Sequence, residues 1–220
     1  MLVNVEKYKE IIAELSKREV VLVAVSKIQP NEKILALYEL GQKDFGENYV
    51  QELVDKHAAL PKDIRWHFIG HLQGNKVKYI APFVHLIHGV DSVKLLKEIN
   101  KQAAKCNRVI DCLLQVHIAQ EETKFGMNEA ELDEVKEGIN GFANLRICGL
   151  MGMASFSEDV AKVREEFRNL HSLYERFRPW TIDHGPWTTL SMGMSGDYKI
   201  ALEEGSTMVR IGSLLFGVRV

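Results

Sequence analysis

The chain has 220 residues, 46% hydrophobic and 26% charged, with a formal net charge of −2. That is room for one large domain or two small ones, with enough apolar material for a substantial core. No segment is strongly basic, which speaks against nucleic acid as the main partner, because a phosphate backbone demands clustered lysine and arginine.

The N-terminal stretch "MLVNVEKYKEIIAELSKRE" is too charged for a secretory signal. No apolar run is long enough to span a bilayer. Three cysteines, Cys106, Cys112 and Cys148, are odd in number and lack metal-type spacing, so they read as reduced thiols packed as small hydrophobes. A soluble cytoplasmic protein with no membrane partner is expected.

In chain order, residues 4–18 place Val5, Tyr8, Ile11, Ile12 and Leu15 on one helical stripe. "VVLVAV" (20–25) reads as the first strand, and a helix over 31–40 follows Pro30 and stops at Gly41. "DFGEN" (44–48), "RWHFIG" (65–70) and "VHLIHGV" (84–90) read as strands, with helices near 47–58, 74–80 and 92–105. "DCLLQVHIA" (111–119), "LRICGLMGM" (145–153), "TTLSMGM" (188–194) and "TMVRIG" (207–212) complete eight strands, with helices near 129–138, 158–177 and 197–204. In the longest of these, "EEFRNLHSLYERF", Phe167, Leu170, Tyr174 and Phe177 face inward. Several strands are apolar on both faces, as a buried parallel sheet requires. The alternation predicts a single α/β domain over residues 1–220, a (β/α)8 TIM barrel. The alternative, an open doubly wound sheet, lacks a glycine-rich dinucleotide fingerprint after its first strand.

A parallel barrel assembles its site at the C-terminal strand ends. Those ends supply Lys27; Glu47, Asn48 and Tyr49; His67, Gly70, His71 and Gln73; His117; Met151 and Met153; Ser191 to Ser195; and Arg210, Gly212 and Ser213. The loops after strands seven and eight are where barrels commonly bind phosphate. Ser191, Ser195, Gly212 and Ser213 are expected there, with Ser195 capping the next helix; ordinary Gly/Ser turns are the plainer reading. Lys27 alone is a solvated strand-end charge. Placed across the barrel mouth from a phosphate, its amine is suited to form a Schiff base with an aldehyde. Arg210 pairs with the phosphate or faces a heteroaromatic nitrogen. Metal is not expected: His85 and His88 are an odd number of residues apart and fall on opposite faces, and His67 and His71 show no convergent carboxylate. Met151, Met153, Met192 and Met194 read as barrel filling.

"AVSKIQP", "FGENYVQE", "WHFIGHLQGNK", "EETKFG", "GLMGM", "LSMGMSGD" and "GSTMVRIGSLLFG" together resemble the pyridoxal phosphate homeostasis proteins, from about residue 20 to the C-terminus. The resemblance implies an alanine-racemase-like barrel with the fold-type III arrangement. It implies that Lys27 carries pyridoxal 5'-phosphate as an internal aldimine. Asn48 lies beside the ring and His67 lines the pocket wall. Ser191, Ser195, Gly212 and Ser213 form the phosphate cup, and Arg210 faces the pyridine nitrogen. An arginine there only donates, so the ring is a weaker electron sink than with the acidic partner of most pyridoxal enzymes.

Racemases of this fold type take a second base from an additional β-domain, and the chain ends at "FGVRV" after strand eight. The resemblance therefore implies cofactor binding in vitamin B6 homeostasis, buffering or delivery without robust turnover. PLP-dependent apo-enzymes are the implied recipients, and a monomer is expected. Two alternatives are a PLP-dependent amino-acid racemase-like enzyme and a cofactor-free barrel enzyme acting on a phosphorylated metabolite. The latter would need acid/base pairs, and Glu47 is the only obvious strand-end carboxylate. His117 and "TIDHGPWTTLSMGMS" depart from the resemblance.

Overall fold

A computed structural model describes residues 2–119, 125–179 and 187–217. Residues 121–124 of "EETKFG", 180–186 around the departing "TIDHGPW" stretch and 218–220 of the C-terminal "FGVRV" lie outside them. The strands are β1 (Val21–Val25), β2 (Asp44–Glu47), β3 (Arg65–Phe68), β4 (Leu86–Val90), β5 (Ile110–Gln115), β6 (Leu145–Met151), β7 (Thr189–Met194) and β8 (Met208–Ile211). They pair in parallel in chain order, and β8 returns to β1 to close the barrel. All eight expected strands are present, and the barrel is closed rather than an open sheet.

Helices α1 (Val5–Ser16), α2 (Asn31–Glu39), α3 (Val50–Ala59), α4 (Val77–Ile80), α5 (Val93–Lys105), α6 (Glu129–Gly138), α7 (Val160–Phe177) and α8 (Tyr198–Glu203) match the expected helical segments. A four-residue α9 (Ser213–Phe216) is additional; it is too short to leave a periodic signal. Local chemistry starts several of them. Ser92 accepts the Leu95 N–H at the start of α5, and Asn128 with Glu131 forms a capping box on α6. The inward stripe of α7 buries Val163, Phe167, Leu170, Tyr174 and Phe177, as its spacing predicts.

Two apolar clusters result. The larger joins strands to helices through residues such as Leu37, Phe45, Leu53, Trp66 and Phe167. The smaller, in the lumen, comprises Val23, Leu86, Leu113, Cys148, Met151 and Met208, with Met153 against it. The methionine expectation is corrected in half: Met192 belongs to the outer cluster and Met194 is exposed. The alternation of β7 turns both outward while Ser191 faces the lumen.

Candidate functional site at the barrel mouth

Lys27 follows β1 and is half-buried. The backbone on each side of it is clamped. Lys56 of α3, itself buried, donates to the Ser26 carbonyl at 2.7 Å, to Glu47 Oε1 at 2.8 Å and to Glu52 Oε1 at 2.6 Å. Glu52 Oε1 also accepts the Ile28 N–H at 2.6 Å, and the Ser26 hydroxyl donates to Glu47 at 2.6 Å. Ile28 is held at φ 62°, in the left-handed region that a β-branched residue avoids. Such a conformation persists only where its surroundings enforce it. Here the enforcing groups are Glu52 and Lys56. Burial pushes Glu47 up to about 7, against the pull of Lys56 and Ser26.

The closure of the barrel decides where the loops after β7 and β8 lie. Ala24 pairs with Ile211, so the loop after β8 adjoins the end of β1. Lys27 therefore sits beside these loops, not across the mouth from them. A Cβ on Gly212 would come within 3.1 Å of the Val25 carbonyl, so the missing side chain lets the two strand ends meet. Ser195 accepts the Gly212 N–H at 3.3 Å and ties the β7 and β8 loops together. Ser195 is not a helix cap: α8 starts at Tyr198, after Asp197. The β7–β8 register breaks between Ser191 and Met194. Gly193, at φ 94°, makes that break; its Cβ would lie 2.6 Å from that of Ala201.

Arg210 is buried in the lumen near the mouth. Its Nη1 donates to the Ser191 carbonyl at 2.9 Å and the Ser191 hydroxyl at 2.6 Å, and its Nη2 donates to the Gly152 carbonyl at 3.0 Å. A guanidinium has five N–H donors; Nε–H and one Nη2–H take no partner among the described residues. Burial lowers its pKa to about 10, which leaves it charged at neutral pH. The Asn48 side-chain oxygen is buried without a partner among the described residues, as is Glu47 Oε2 beside it in the chain.

The structure thus brings Lys27, Asn48, Ser195, Arg210, Gly212 and Ser213 to one end of the barrel. His67 and Ser191 are deeper, in the lumen, and their polar atoms bond to other side chains. His67 meets Asp44 at 3.0 Å and His88 at 2.9 Å, and His88 meets Ser191 at 3.2 Å. Asp44, His67 and His85 bring three metal-type atoms within 4.8 Å of one another; Asp44 is a carboxylate converging on His67, which corrects the expectation that there is none. Arg65 occupies both Asp44 oxygens at 2.7 and 2.5 Å. Burial alone would raise Asp44, but hydrogen bonds from Arg65 and His67 bring it down to about 2. His117 lines an outer cleft with Asn169 and Arg176.

Sequence reasoning missed Lys56, Glu52 and His88. Lys56 and Glu52, four apart on a helix, look like an ordinary surface pair.

A closed parallel barrel with a clamped lysine after β1 and Gly/Ser loops after β7 and β8 defines the class of the alanine racemase N-terminal domain, whose family model matches residues 4–220. Within it, the chain belongs to the pyridoxal phosphate homeostasis protein family. The Aquifex aeolicus (strain VF5) pyridoxal phosphate homeostasis protein is 44% identical over 200 residues, 90% of this chain and 86% of that protein. The Homo sapiens protein of that name is 40% identical over 210 residues, 90% of this chain and 76% of its own. PipY of Synechococcus elongatus PCC7942, solved with PLP bound, is 33% identical with a TM-score of 0.84, covering 94% of this chain and 99% of that one. The alanine racemase of Bartonella henselae shares the fold, with a TM-score of 0.73 at 16% identity, over 94% of this chain and 56% of that one.

Proposed function

We propose that Lys27 holds pyridoxal 5'-phosphate covalently, its amine condensing with the cofactor aldehyde as water leaves, and that the chain stores and delivers the cofactor without robust turnover. The chain is a pyridoxal phosphate-binding homeostasis protein, a reading supported by its relatives' names and by PipY with PLP bound. The observation that carries the Lys27 assignment is the clamp: Lys56 on the Ser26 carbonyl and Glu52 on the Ile28 N–H fix one amine-bearing residue beside the Gly212 loop.

In this reading the Ser195 and Ser213 hydroxyls and the backbone at Gly212 and Ser213 hold the phosphate. Asn48 takes the polar edge of the ring, and the spare N–H groups of Arg210 face the ring nitrogen. The bound group supplies an electrophilic aldehyde and a ring that delocalises charge. Arg210 only donates, so it favours an unprotonated nitrogen and a weaker electron sink, which supports storage over catalysis. His67 and Ser191 act on the site through other side chains.

Residues 1–220 act as one barrel unit in this proposal, and the cytoplasm is its location. All three cysteines are unpaired, and no helix among the described residues is long and apolar enough to cross a membrane. Handover to PLP-dependent apo-enzymes by contact is supported by exposed apolar side chains on the strand-end loops, Ile28, Tyr49, Phe125 and Phe156.

The test is spectroscopic. The purified protein with added pyridoxal phosphate should be yellow and become colourless with borohydride, leaving the label on the peptide containing Lys27. Lys27→Ala should remain folded and lose the covalent adduct. A wild-type protein that stays colourless with excess cofactor overturns the reading.

A further inference from the structure

The lumen carries an unbroken line of hydrogen-bonding side chains from one face of the barrel toward the other. Asp44 and His67 line a cavity of about 460 Å³ together with the first residues of several strands, among them Val21, Leu86 and Met208. From there the contacts run Asp44 to His67 at 3.0 Å, His67 Nδ1 to His88 Nε2 at 2.9 Å, His88 Nδ1 to Ser191 Oγ at 3.2 Å and Ser191 Oγ to Arg210 at 2.6 Å. His67, His88, Ser191 and Arg210 are all buried. No lumen packing requirement calls for four polar side chains in a row, and each costs desolvation unless its partners are in place.

The two ends give the line a direction. A guanidinium only donates, and the Asp44 carboxylate, bound by Arg65, only accepts. A hydroxyl that accepts a charge-assisted N–H is polarised to donate in turn. The Ser191 O–H is therefore aimed at His88 Nδ1, the His88 proton sits on Nε2 and points at His67 Nδ1, and His67 Nε2–H points at Asp44. We propose that His88 and Ser191 are positioning residues for Arg210, with His67 and Asp44 fixing the tautomer of His88, so that the line holds the guanidinium in one orientation and leaves its spare N–H groups directed at a ligand in the mouth. The proposal rests on the reading that Arg210 faces the cofactor ring. It also assigns the Ser191 hydroxyl to Arg210 and His88 instead of to phosphate.

The closing experiment has two arms. In the apo-protein, ¹⁵N correlation spectra of the imidazoles should place the His88 proton on Nε2; Ser191→Ala should move the His88 Nδ1 signal. A His88 proton on Nδ1 overturns the proposal, because Ser191 would then be a double acceptor with its hydrogen released. In the holo-protein, His88→Leu should weaken pyridoxal phosphate binding about tenfold, since it leaves the Ser191 O–H and His67 Nδ1 without their partner, and should shift the bound absorption band. His88→Gln, which accepts and donates in the same directions, should restore both to near wild type. Should His88→Leu fail to fold, Ser191→Ala carries the same expectation. Folded variants with unchanged affinity and an unchanged band overturn the proposal. A wild type that takes up no cofactor overturns the reading of the site, and the apo tautomers still decide the relay.

Discussion

The shell between strands and helices and the lumen inside the strands share the same eight strands and are filled in opposite ways. The shell is a continuous apolar cluster from α1 to α9, with Tyr8 and Ile11 at one end of the chain and Leu215 and Phe216 at the other. The lumen holds a cluster of six buried apolar residues and, along with it, His67, His88, Gln115, Ser191 and Arg210. Apolar burial is non-directional and adds with area, so the shell makes the barrel stable. Buried polar groups require specific partners, so the lumen makes one end of it specific. The rim cluster of Glu47, Glu52 and Lys56 lies at the boundary of the two and contributes to both.

The largest effects should separate these contributions. Phe167→Ala empties a fully buried shell position and should cost about 3–5 kcal/mol in chemical denaturation. The folded fraction should still bind pyridoxal phosphate with wild-type affinity. Lys56→Met leaves Glu47 and Glu52 facing each other without their cation and should cost a similar amount, about 3–5 kcal/mol. Here the folded fraction should lose cofactor affinity as well, because Ser26 and Ile28 are released. Equal cofactor affinity in the two folded variants would show that the clamp does not position Lys27.

A pH series gives a smaller and more selective contrast. Glu47 is raised to about 7 by burial. A carboxyl whose folded pKa exceeds its unfolded value contributes stability below the unfolded value, near 4.5, and loses it as pH rises through 7. Asp44, lowered to about 2, has the opposite sign: its contribution is present above its ordinary value of 3.8 and lost as pH falls toward 2. Of the two carboxyls only Glu47 changes between pH 5.5 and 8; His57, His85 and His88, which burial holds below the ordinary imidazole value of 6.5, act with the opposite sign there. Relative to wild type, Glu47→Gln should therefore gain apo-protein Tm progressively as pH rises across that range, because it removes the one carboxyl contribution that falls there. A slope unchanged in Glu47→Gln assigns the effect to another group.

The two regions also differ in how readable they were. Buried strands announce themselves as short unbroken apolar runs and shell helices through a period of 3.6 residues, so "VVLVAV" and the stripe Phe167, Leu170, Tyr174, Phe177 locate themselves. The lumen contacts join residues 21 and 103 positions apart, as in His67 to His88 and His88 to Ser191, and no local period encodes them. His67 therefore reads as a wall residue and Ser191 as a phosphate ligand, while His88 enters only as half of a metal pair. The motifs did place Lys27, Asn48, Ser195, Arg210, Gly212 and Ser213 at one end. What they did not convey is adjacency: Lys27 and Gly212 are neighbours because the barrel closes. Lys56 stayed hidden because its partner Glu52 makes a sufficient surface explanation.

The smallest effect sharpens the comparison where shell and mouth coincide. Ser92 lies in the loop after β4, on the mouth side of the barrel, where its hydroxyl accepts the Leu95 N–H at 3.3 Å at the start of α5 and donates to Asp91 Oδ1 at 3.3 Å. Ser92→Ala leaves one of the first-turn N–H groups without its side-chain acceptor and should cost about 1 kcal/mol. For a chain of this length that is a Tm decrease of roughly 2–4 °C. Ser92→Asp should restore the cap and add a favourable charge at the helix start. Cofactor affinity and the absorption band should be unchanged in both variants, since α5 contributes to the shell and the site lies at the ends of β1, β2, β7 and β8. A change in the band on losing this single cap would mean that helix stability reaches the cofactor, and that the separation between a stabilising shell and a specifying lumen does not hold at the rim.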